Sequence, residues 1–274
     1  MKARLWWIGA ALLVLAGACA PLERQVAPPA ARLLDAELLA LDPFADRLRL
    51  SLLLELTNPN PFDLPLVESE LRVRLGELTT AATLPRLTLP ARGRTRASVR
   101  VETGLTSAAA TAAELVSGRS LPLTMSGRLR VEAFGQGLWL GPYTLLRDRV
   151  RLAVALAPPR VEPIAAEVRL GFGTLAFSVR YRAKNVVPVG FVLDGTLLAR
   201  VGGYRLGEAP IRFELPPAGE REGEFLLEVP LAAVPGAARA LSGGAPFELV
   251  GRVRLSVPGV IERTYELELS GVAR

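Results

Sequence analysis

Two stretches of the chain alternate apolar and other residues with a period of two. In the stretch Leu48–Leu56, leucine occupies every second position. In the stretch Leu175–Ala183, the alternate positions carry Leu, Phe, Val, Tyr and Ala. A period of two places successive side chains on opposite faces of a β-strand. Each stretch therefore predicts a strand with one buried face.

The two stretches align when the chain is shifted by 127 residues. The same shift places Asn58 on Asn185, and a shift of 124 places Leu123–Val131 on Phe247–Leu255. Insertions are confined to turns, because a slip of one residue would turn the buried face of a strand outward. We therefore predict a tandem duplication of a unit of about 100 residues, the size of one sandwich domain.

Each copy is predicted to contain five to seven short strands and one helix. The helix of copy one is predicted over Thr106–Ser117 with Ser107 as its cap, and that of copy two over Ala232–Leu241. Later strands are predicted at Leu121–Ala133, Val150–Leu156, Pro246–Val257 and Tyr265–Leu269. The fold class is thus mainly all-β, with two tandem immunoglobulin- or fibronectin-III-like antiparallel sandwiches.

The domain organisation follows from this pattern. Residues 1–18 are predicted to be a signal peptide and residues 19–32 a tether rich in proline and alanine. The first sandwich is predicted over residues 33–157 and the second, more divergent one over residues 158–274. The short Ala157-Pro158-Pro159-Arg160 junction predicts a fixed or narrowly varying connection.

One segment of copy one has no counterpart in copy two. Extra residues around 136–143 predict a loop between the last two strands of copy one. Trp139 and Tyr143 within it suggest a contact surface for a partner or a lipid headgroup. The alternative is that both aromatic side chains fold back onto their own sheet.

The start of the chain has the composition of an export signal. Lys2 and Arg4 precede an apolar run, and small residues at 16–18 lead to Cys19, the only cysteine. The segment resembles the lipobox of bacterial lipoproteins, which implies that Cys19 is acylated and anchors the chain in a membrane. An ordinary secretory peptide cleaved near Ala18, or an uncleaved anchor, is the alternative.

The cellular address follows from the resemblance to lipoproteins. Ala20 follows the cysteine, and in diderm bacteria this resembles a lipoprotein sent to the outer membrane. We therefore expect a lipid-anchored protein of the cell envelope, at the outer membrane and facing the periplasm in a diderm cell. With a single cysteine no intrachain disulfide can form, so the cores alone must hold the exported protein together.

Composition limits the function classes. The chain carries 33 basic and 27 acidic residues, a net charge of +6, which is mild and argues against a nucleic-acid partner. Outward arginines form either a solvated sheet face or stripes weakly attracted to anionic lipid. Half of the residues are hydrophobic, so the chain can bury two cores and is not a disordered polypeptide.

The first alternating strand ends in a short motif, Asn58-Pro59-Asn60-Pro61. Proline donates no backbone hydrogen bond, so pairing must stop there, and the asparagine amides can cap the freed backbone groups. Together with the alternating strands and the turn at 89–93, the region 33–156 resembles the WHy domain of the type 2 late-embryogenesis-abundant family.

The resemblance implies a fold and a role. It implies an immunoglobulin- or fibronectin-like sandwich that protects proteins or membranes during desiccation, freezing or oxidative stress. Copy two keeps Asn185 and Pro188 but has Val186 and Val187 between them. For copy two the resemblance therefore implies the fold, and leaves any activity that depends on the motif open.

The residues argue against an enzyme. The chain has no histidine, which excludes Ser-His-Asp and Cys-His catalysis, and Cys19 is expected to be acylated. A carboxylate pair for glycoside chemistry stays a formal alternative to ordinary polar surface. No glycine-rich phosphate loop follows a strand and opens a helix. We expect a non-enzyme without cofactor or metal.

Three functions remain in competition. The leading hypothesis is a lipid-anchored, extracytoplasmic protein of the desiccation-tolerance type, which protects envelope proteins or membranes. The second is an adaptor lipoprotein of an envelope or transport complex that docks through the 136–143 loop. The third is a carrier of lipid or another apolar ligand between its sheets. The sequence leaves the client proteins and the oligomeric state open.

Overall fold

A computed structural model describes residues 26–152, 154, 156–234 and 244–273. Within these ranges the chain is mainly β, with one α-helix and one short 3-10 helix. The strands of the first half are β1 (Ala30–Asp42), β2 (Arg47–Thr57), β3 (Leu64–Leu75), β4 (Leu78–Ala82), β5 (Leu87–Leu89), β6 (Arg94–Thr103), β7 (Leu121–Ala133) and β8 (Gln136–Val150). Helix α1 (Leu105–Val116) separates β6 from β7.

The second half repeats this series of strands. They are β9 (Arg160–Leu170), β10 (Thr174–Lys184), β11 (Phe191–Val201), β12 (Tyr204–Leu215), β13 (Glu220–Pro230), β14 (Ala245–Val257) and β15 (Ile261–Ala273). The 3-10 helix, Leu231–Ala233, follows β13 at the start of the predicted second helix. Most of that predicted helix, residues 235–241, lies outside the described residues.

The described strands form four sheets in two pairs with the same strand order. In the first half the orders are β1-β2-β6 and β4-β3-β7-β8, with β5 also paired to β3. In the second half they are β9-β10-β13 and β12-β11-β14-β15. The mainly all-β class and the repeated sandwich-like sheets are confirmed. The duplication event itself stays a prediction.

The described chain divides into two compact units that interleave along the sequence. One contains the residues up to Glu37 together with Ser51–Val101 and Leu121–Val150, and the other contains Leu38–Leu50, Glu102–Ser120 and the residues from Arg151 onward. Within the second unit, the backbone N–H of Leu41 donates to the Pro188 carbonyl at 2.8 Å, and Gly190 donates to the Leu41 carbonyl at 2.7 Å. The predicted boundary at 157/158 stays a prediction.

The predicted buried faces of the two alternating strands are confirmed. The alternate leucines of β2 are at most 2% exposed, and the corresponding residues of β10 at most 3%. These residues are Leu48, Leu50, Leu52, Leu54, Leu56, Leu175, Phe177, Val179, Tyr181 and Ala183. Full burial of one large apolar side chain is worth about 1.5–3 kcal/mol. This alternation therefore supplies a large part of both cores.

Aromatic rings connect the two sheets of the second half. Phe177 on β10 lies 5.8 Å from Phe247 on β14, measured between ring centroids. Tyr181 on β10 lies 5.5 Å from Phe213 on β12. Because β10 belongs to one sheet and β12 and β14 to the other, these contacts pack the two inner faces together. Tilted ring pairs of this kind add to the stability gained from burial.

The N-terminus of α1 is capped by a residue that is distant in sequence. Asp46 Oδ1 accepts hydrogen bonds from the backbone N–H of Thr106 at 2.7 Å and from its hydroxyl at 2.8 Å. The backbone bond is the main cause of the lowered pKa of Asp46. The predicted cap was wrong, since the Ser107 hydroxyl donates to the Gly104 carbonyl instead. An N-cap accepts from the helix, and Asp46 performs that role across the fold.

The predicted loop at 136–143 was also wrong. Gln136–Val150 is a strand of 15 residues that pairs with the 13 residues of β7. The two extra residues are absorbed as irregularities opposite Ser126 and Arg128. They interrupt the period of two, together with Gly141 and Pro142, and this is why the strand was missed. The predicted strand Val150–Leu156 was wrong as well, because β8 ends at Val150.

Candidate functional site: the asparagine turns

Asn58 closes the end of β2 with its side chain. It is fully buried, and its Nδ2 donates to the carbonyls of Phe62 at 2.8 Å, Leu89 at 3.0 Å and Pro90 at 3.1 Å. Its Oδ1 accepts from the backbone N–H of Asn60 at 2.9 Å. One side chain therefore connects the turn after β2, the residues just before β3 and the end of β5. This satisfies groups that would otherwise be buried unpaired.

The backbone of the same turn pairs with the segment after β5. The N–H of Asn58 donates to the Gly93 carbonyl at 3.0 Å, and the N–H of Arg92 donates to the Asn60 carbonyl at 2.8 Å. Arg92 has a φ of +50°, an unusual value for a residue with a Cβ. The turn therefore stabilises Arg92 in a left-handed backbone conformation, which is unfavourable without such hydrogen bonds.

Asn185 occupies an equivalent setting in the second half. It is 1% exposed, its Nδ2 donates to the carbonyls of Val189 at 2.7 Å and Pro216 at 2.8 Å, and its Oδ1 accepts from the N–H of Val187 at 3.0 Å. Val189 stands four residues after Asn185, as Phe62 does after Asn58. The first asparagine of the motif therefore has the same structural role in both halves.

The partner segment is repeated too. The backbone N–H of Asn185 donates to the Gly219 carbonyl at 2.8 Å, and that of Ala218 donates to the Val187 carbonyl at 2.9 Å. Ala218 has a φ of +47°, close to the value of Arg92. The predicted correspondence between the two turns is confirmed at the level of individual hydrogen bonds.

Asn60 distinguishes the first turn from the second. It is 3% exposed, and its side-chain amide pairs with the backbone of Ala27 in both directions. Ala27 N–H donates to Asn60 Oδ1 at 2.9 Å, and Asn60 Nδ2 donates to the Ala27 carbonyl at 2.8 Å. Asn60 Nδ2 also donates to Asn58 Oδ1 at 2.9 Å. Val187, two residues after Asn185, is buried and has no amide for such a contact.

The prolines of the motif lie at the surface. Pro59 and Pro61 are exposed, and Pro188 is half-buried with its carbonyl accepting from Leu41. Because proline donates no backbone hydrogen bond, Pro59 and Pro61 end the pairing of β2 without leaving an unpaired N–H. The motif therefore ends the strand, with Asn58 and Asn60 buried and Pro59 and Pro61 exposed.

Trp139 lies half-buried on β8, on the outer face of its sheet. The Arg128 guanidinium carbon is 4.7 Å from the centre of the Trp139 ring, a cation–π contact. Arg128 also binds Glu70 with two hydrogen bonds, at 2.7 Å and 3.0 Å. The hydrogen bond from Arg128 lowers the pKa of Glu70. Sequence reasoning missed this cluster because its members are far apart in the chain.

Tyr143 is paired with Gly127, and its ring is half-buried. Its hydroxyl is buried and has no hydrogen-bond partner among the described residues, and burial raises the pKa of Tyr143. An open depression of about 870 Å³ lies beside it, lined among others by Ser69, Glu70, Ser126 and Thr144. Trp139 and Tyr143 thus lie against their own sheet, and contact with a partner stays a prediction.

The remaining predicted site residue, Cys19, lies outside the described residues. Of the part of the chain that the structure describes, no helix has the length and apolar character needed to cross a bilayer. In the same part, no three His, Cys, Asp or Glu side chains converge into a set that could hold a metal ion.

The paired sheets define a β-sandwich protein. The asparagine turn that ends a strand is present in both of its halves. Residues 53–139 match the family described as "Late embryogenesis abundant protein", which is the type 2, WHy-domain family. The match covers Asn58, Asn60 and Trp139. The resemblance predicted from the motif is confirmed. At the family level this match supports a non-enzymatic protein of the water-stress type.

Other comparisons gave distant similarities. No curated protein matches the chain. A crystal structure of a protein from Archaeoglobus fulgidus is 12% identical with a TM-score of 0.26, over 44% of this chain and 98% of that one. Red sea bream transglutaminase is 11% identical with a TM-score of 0.26, over 87% of this chain and 32% of that one. Bacteroides uniformis beta-glucuronidase 2 is 9% identical with a TM-score of 0.24, over 88% and 32%. The chain spans about a third of the length of the last two.

Proposed function

We propose that the protein is a lipid-anchored, extracytoplasmic protein that protects envelope proteins or membranes when water is withdrawn. The observation that carries this proposal is the family match over residues 53–139, which includes an intact asparagine turn. The lipobox-like sequence before Cys19 supports attachment to a membrane. The family supports the stress role, and the proposed anchor places that role in the envelope.

The surface of the described residues supports a protective role. Several large apolar side chains are exposed, on different turns and strands. They include Phe134, Leu170, Phe172, Leu226 and Val272. Phe172 is fully exposed at the tip of the β9–β10 turn. Scattered apolar contacts suit weak, reversible binding of partly unfolded clients better than one stable interface.

An inactivation assay tests the proposal. A labile enzyme is dried and rehydrated with the purified mature protein in mild detergent, or with the same mass of albumin in the same detergent. We expect the enzyme to keep more activity with the protein than with albumin. Equal recovery would contradict the proposal.

A matched variant tests the role of the exposed apolar residues. Phe172→Ser removes an apolar ring that makes no core contact, so the fold should be unaffected and protection should fall. Ala232→Ser, at an exposed position of the 3-10 helix, is the control for a surface change. Unchanged protection with Phe172→Ser would contradict client binding through this turn.

The adaptor hypothesis loses its specific support. It depended on a docking loop at 136–143, and this segment is a paired strand. We therefore propose no second function.

A further inference from the structure

One end of the first unit brings together the asparagine turn, the end of the tether and an aromatic pair. Strands β2 and β7 end there, and β1, β3, β6 and β8 begin there. Phe62 follows the motif directly, and Phe134 lies in the turn between β7 and β8. Their ring centroids are 5.1 Å apart, and Phe134 is 58% exposed.

Phe134 is an unexpected residue for its position. Its φ is +55° and that of Gly135 is +75°, so both central residues of this two-residue turn are left-handed. Such turns favour Asn, Asp or Gly, and a bulky side chain there is strained. The sequence therefore keeps an exposed aromatic ring at a position that disfavours it. Strain of this kind at the surface is a reason to look for a binding role.

The second half lacks this aromatic pair. The position that corresponds to Phe62 is Val189, which is fully buried, and the turn between β14 and β15 carries Pro258 and Gly259. The pair is therefore not a requirement of the fold. It occurs only in the half that follows the tether.

Asn60 fixes the tether at this end. Its amide holds both the N–H and the carbonyl of Ala27. In the sequence, Cys19 stands eight residues before Ala27. A fully extended chain spans at most about 3.6 Å per residue, so the two residues are at most about 29 Å apart. An acylated Cys19 would therefore keep this end of the first unit within about 29 Å of the bilayer surface.

We propose that Phe62 and Phe134, with the exposed prolines Pro59 and Pro61, form a surface that contacts the lipid bilayer. This inference rests on the proposed lipid anchor at Cys19. Exposed aromatic rings are favoured at the headgroup level of a bilayer, where one side is apolar and the other wet.

The charged groups at this end are compatible with a bilayer surface. Arg92 and Arg94 are both exposed, and the Arg94 guanidinium lies 3.4 Å from the Glu55 carboxylate. Asp63 is the exposed acid nearest the motif, and its Oδ1 accepts from Ala91. Arginines around an apolar contact can reach phosphate groups of the lipid headgroups. The short tether selects the bilayer as the occupant rather than a protein client.

A single-tryptophan experiment tests the contact. The mature lipidated protein, with Trp139→Phe to remove the tryptophan on β8, receives either Phe134→Trp or, as the control, Phe172→Trp at the exposed turn of the other unit. Each protein is reconstituted in vesicles of phosphatidylethanolamine and phosphatidylglycerol, with and without brominated acyl chains. We expect blue-shifted emission and quenching by brominated lipid for the probe at 134 only.

The possible outcomes separate the contact from the anchor. Vesicle flotation and the mass of the acylated Cys19 peptide report the anchor. If the protein neither floats nor carries lipid, the anchor and the contact are both overturned. If it floats and the probe at 134 is not quenched, only the contact is overturned. Equal quenching of both probes also overturns it, because the contact would then not be specific to this end.

The clamp provides an independent variant. Asn60→Val copies Val187 of the second half and removes the amide that holds Ala27. We expect flotation to persist and quenching of the probe at 134 to fall, because the tether would no longer fix this end toward the bilayer. Val186→Ala, at an exposed position in the corresponding turn of the second half, leaves the amide pair intact and should quench as before. Full quenching in Asn60→Val would overturn the orienting role of the clamp.

Discussion

Replacement of Asn58 by alanine tests the structural role of the motif most directly. The side chain is fully buried and donates to three carbonyl groups while accepting from Asn60. Asn60 Nδ2 also donates to it in a buried bond, and this nitrogen has the Ala27 carbonyl as a second partner. Of its bonds with the backbone, those with Leu89 and with the Asn60 N–H are buried, whereas those with Phe62 and Pro90 are only partly buried. Water can therefore replace the second pair more easily than the first.

The expected cost follows from the two buried bonds. A buried polar group left without a partner costs about 1–3 kcal/mol. Two such groups predict a loss of about 2–6 kcal/mol in the free energy of unfolding of the first half. Asn58→Asp keeps the size and the acceptor but replaces the donor with a buried charge among carbonyl oxygens. We expect it to lose at least as much stability at neutral pH.

The assay is urea unfolding followed by the fluorescence of Trp139. Trp139 lies on β8 of the first unit, so its signal reports that part of the molecule. The midpoint and the slope together give the free energy of unfolding. Pro59→Ala is the matched control in the same turn, and we expect it to cost at most about 1 kcal/mol. A loss below about 1 kcal/mol in Asn58→Ala would refute the reasoning, because the freed groups would then be rehydrated.

Three further predictions address other parts of the fold. Because the pKa of Asp46 is lowered by folding, its contribution to stability is present above the unfolded-state pKa and is lost as the pH falls through the folded-state pKa. In thermal melts at a series of acidic pH values, the melting temperature of Asp46→Asn should therefore depend less on pH than that of the wild type. Gly127→Ala and Gly251→Ala should both lower the melting temperature, since an added Cβ would collide with the backbone of the neighbouring strand; equal melting temperatures to wild type would contradict this. Val187→Asn should destabilise the second half in a urea titration followed by circular dichroism, because it replaces a buried apolar side chain with a polar amide; unchanged stability would contradict it.

The strands could be predicted from the sequence where one face is buried and the strand's own alternation of buried residues is unbroken. β2, β7 and β10 satisfy both conditions, and their buried faces were predicted correctly. β8 satisfies neither throughout, because its extra residues shift the side chains between faces. Periodicity reports a regular pleat, and a strand with two irregularities loses that signal.

The site could be predicted only in part. The motif identified Asn58 and Asn60 as capping residues, because proline spacing and asparagine chemistry are local signals. The cap of α1 by Asp46 and the pairing of Arg128 with Glu70 depend on contacts between distant segments. The contact of Asn60 with Ala27 was missed for the same reason, since the tether has no apolar period to place it.

The difference between the two turns separates structure from function within one motif. The first asparagine is present in both halves with the same bonds, so it belongs to the fold. The second, Asn60, is replaced by Val187, so the fold does not require it. Its amide instead binds Ala27, a residue of the tether that leads to the predicted lipid anchor. The motif therefore ends a strand in both halves, and in the first half its second asparagine also holds the tether. This second role is the one that the proposed anchor at Cys19 would use.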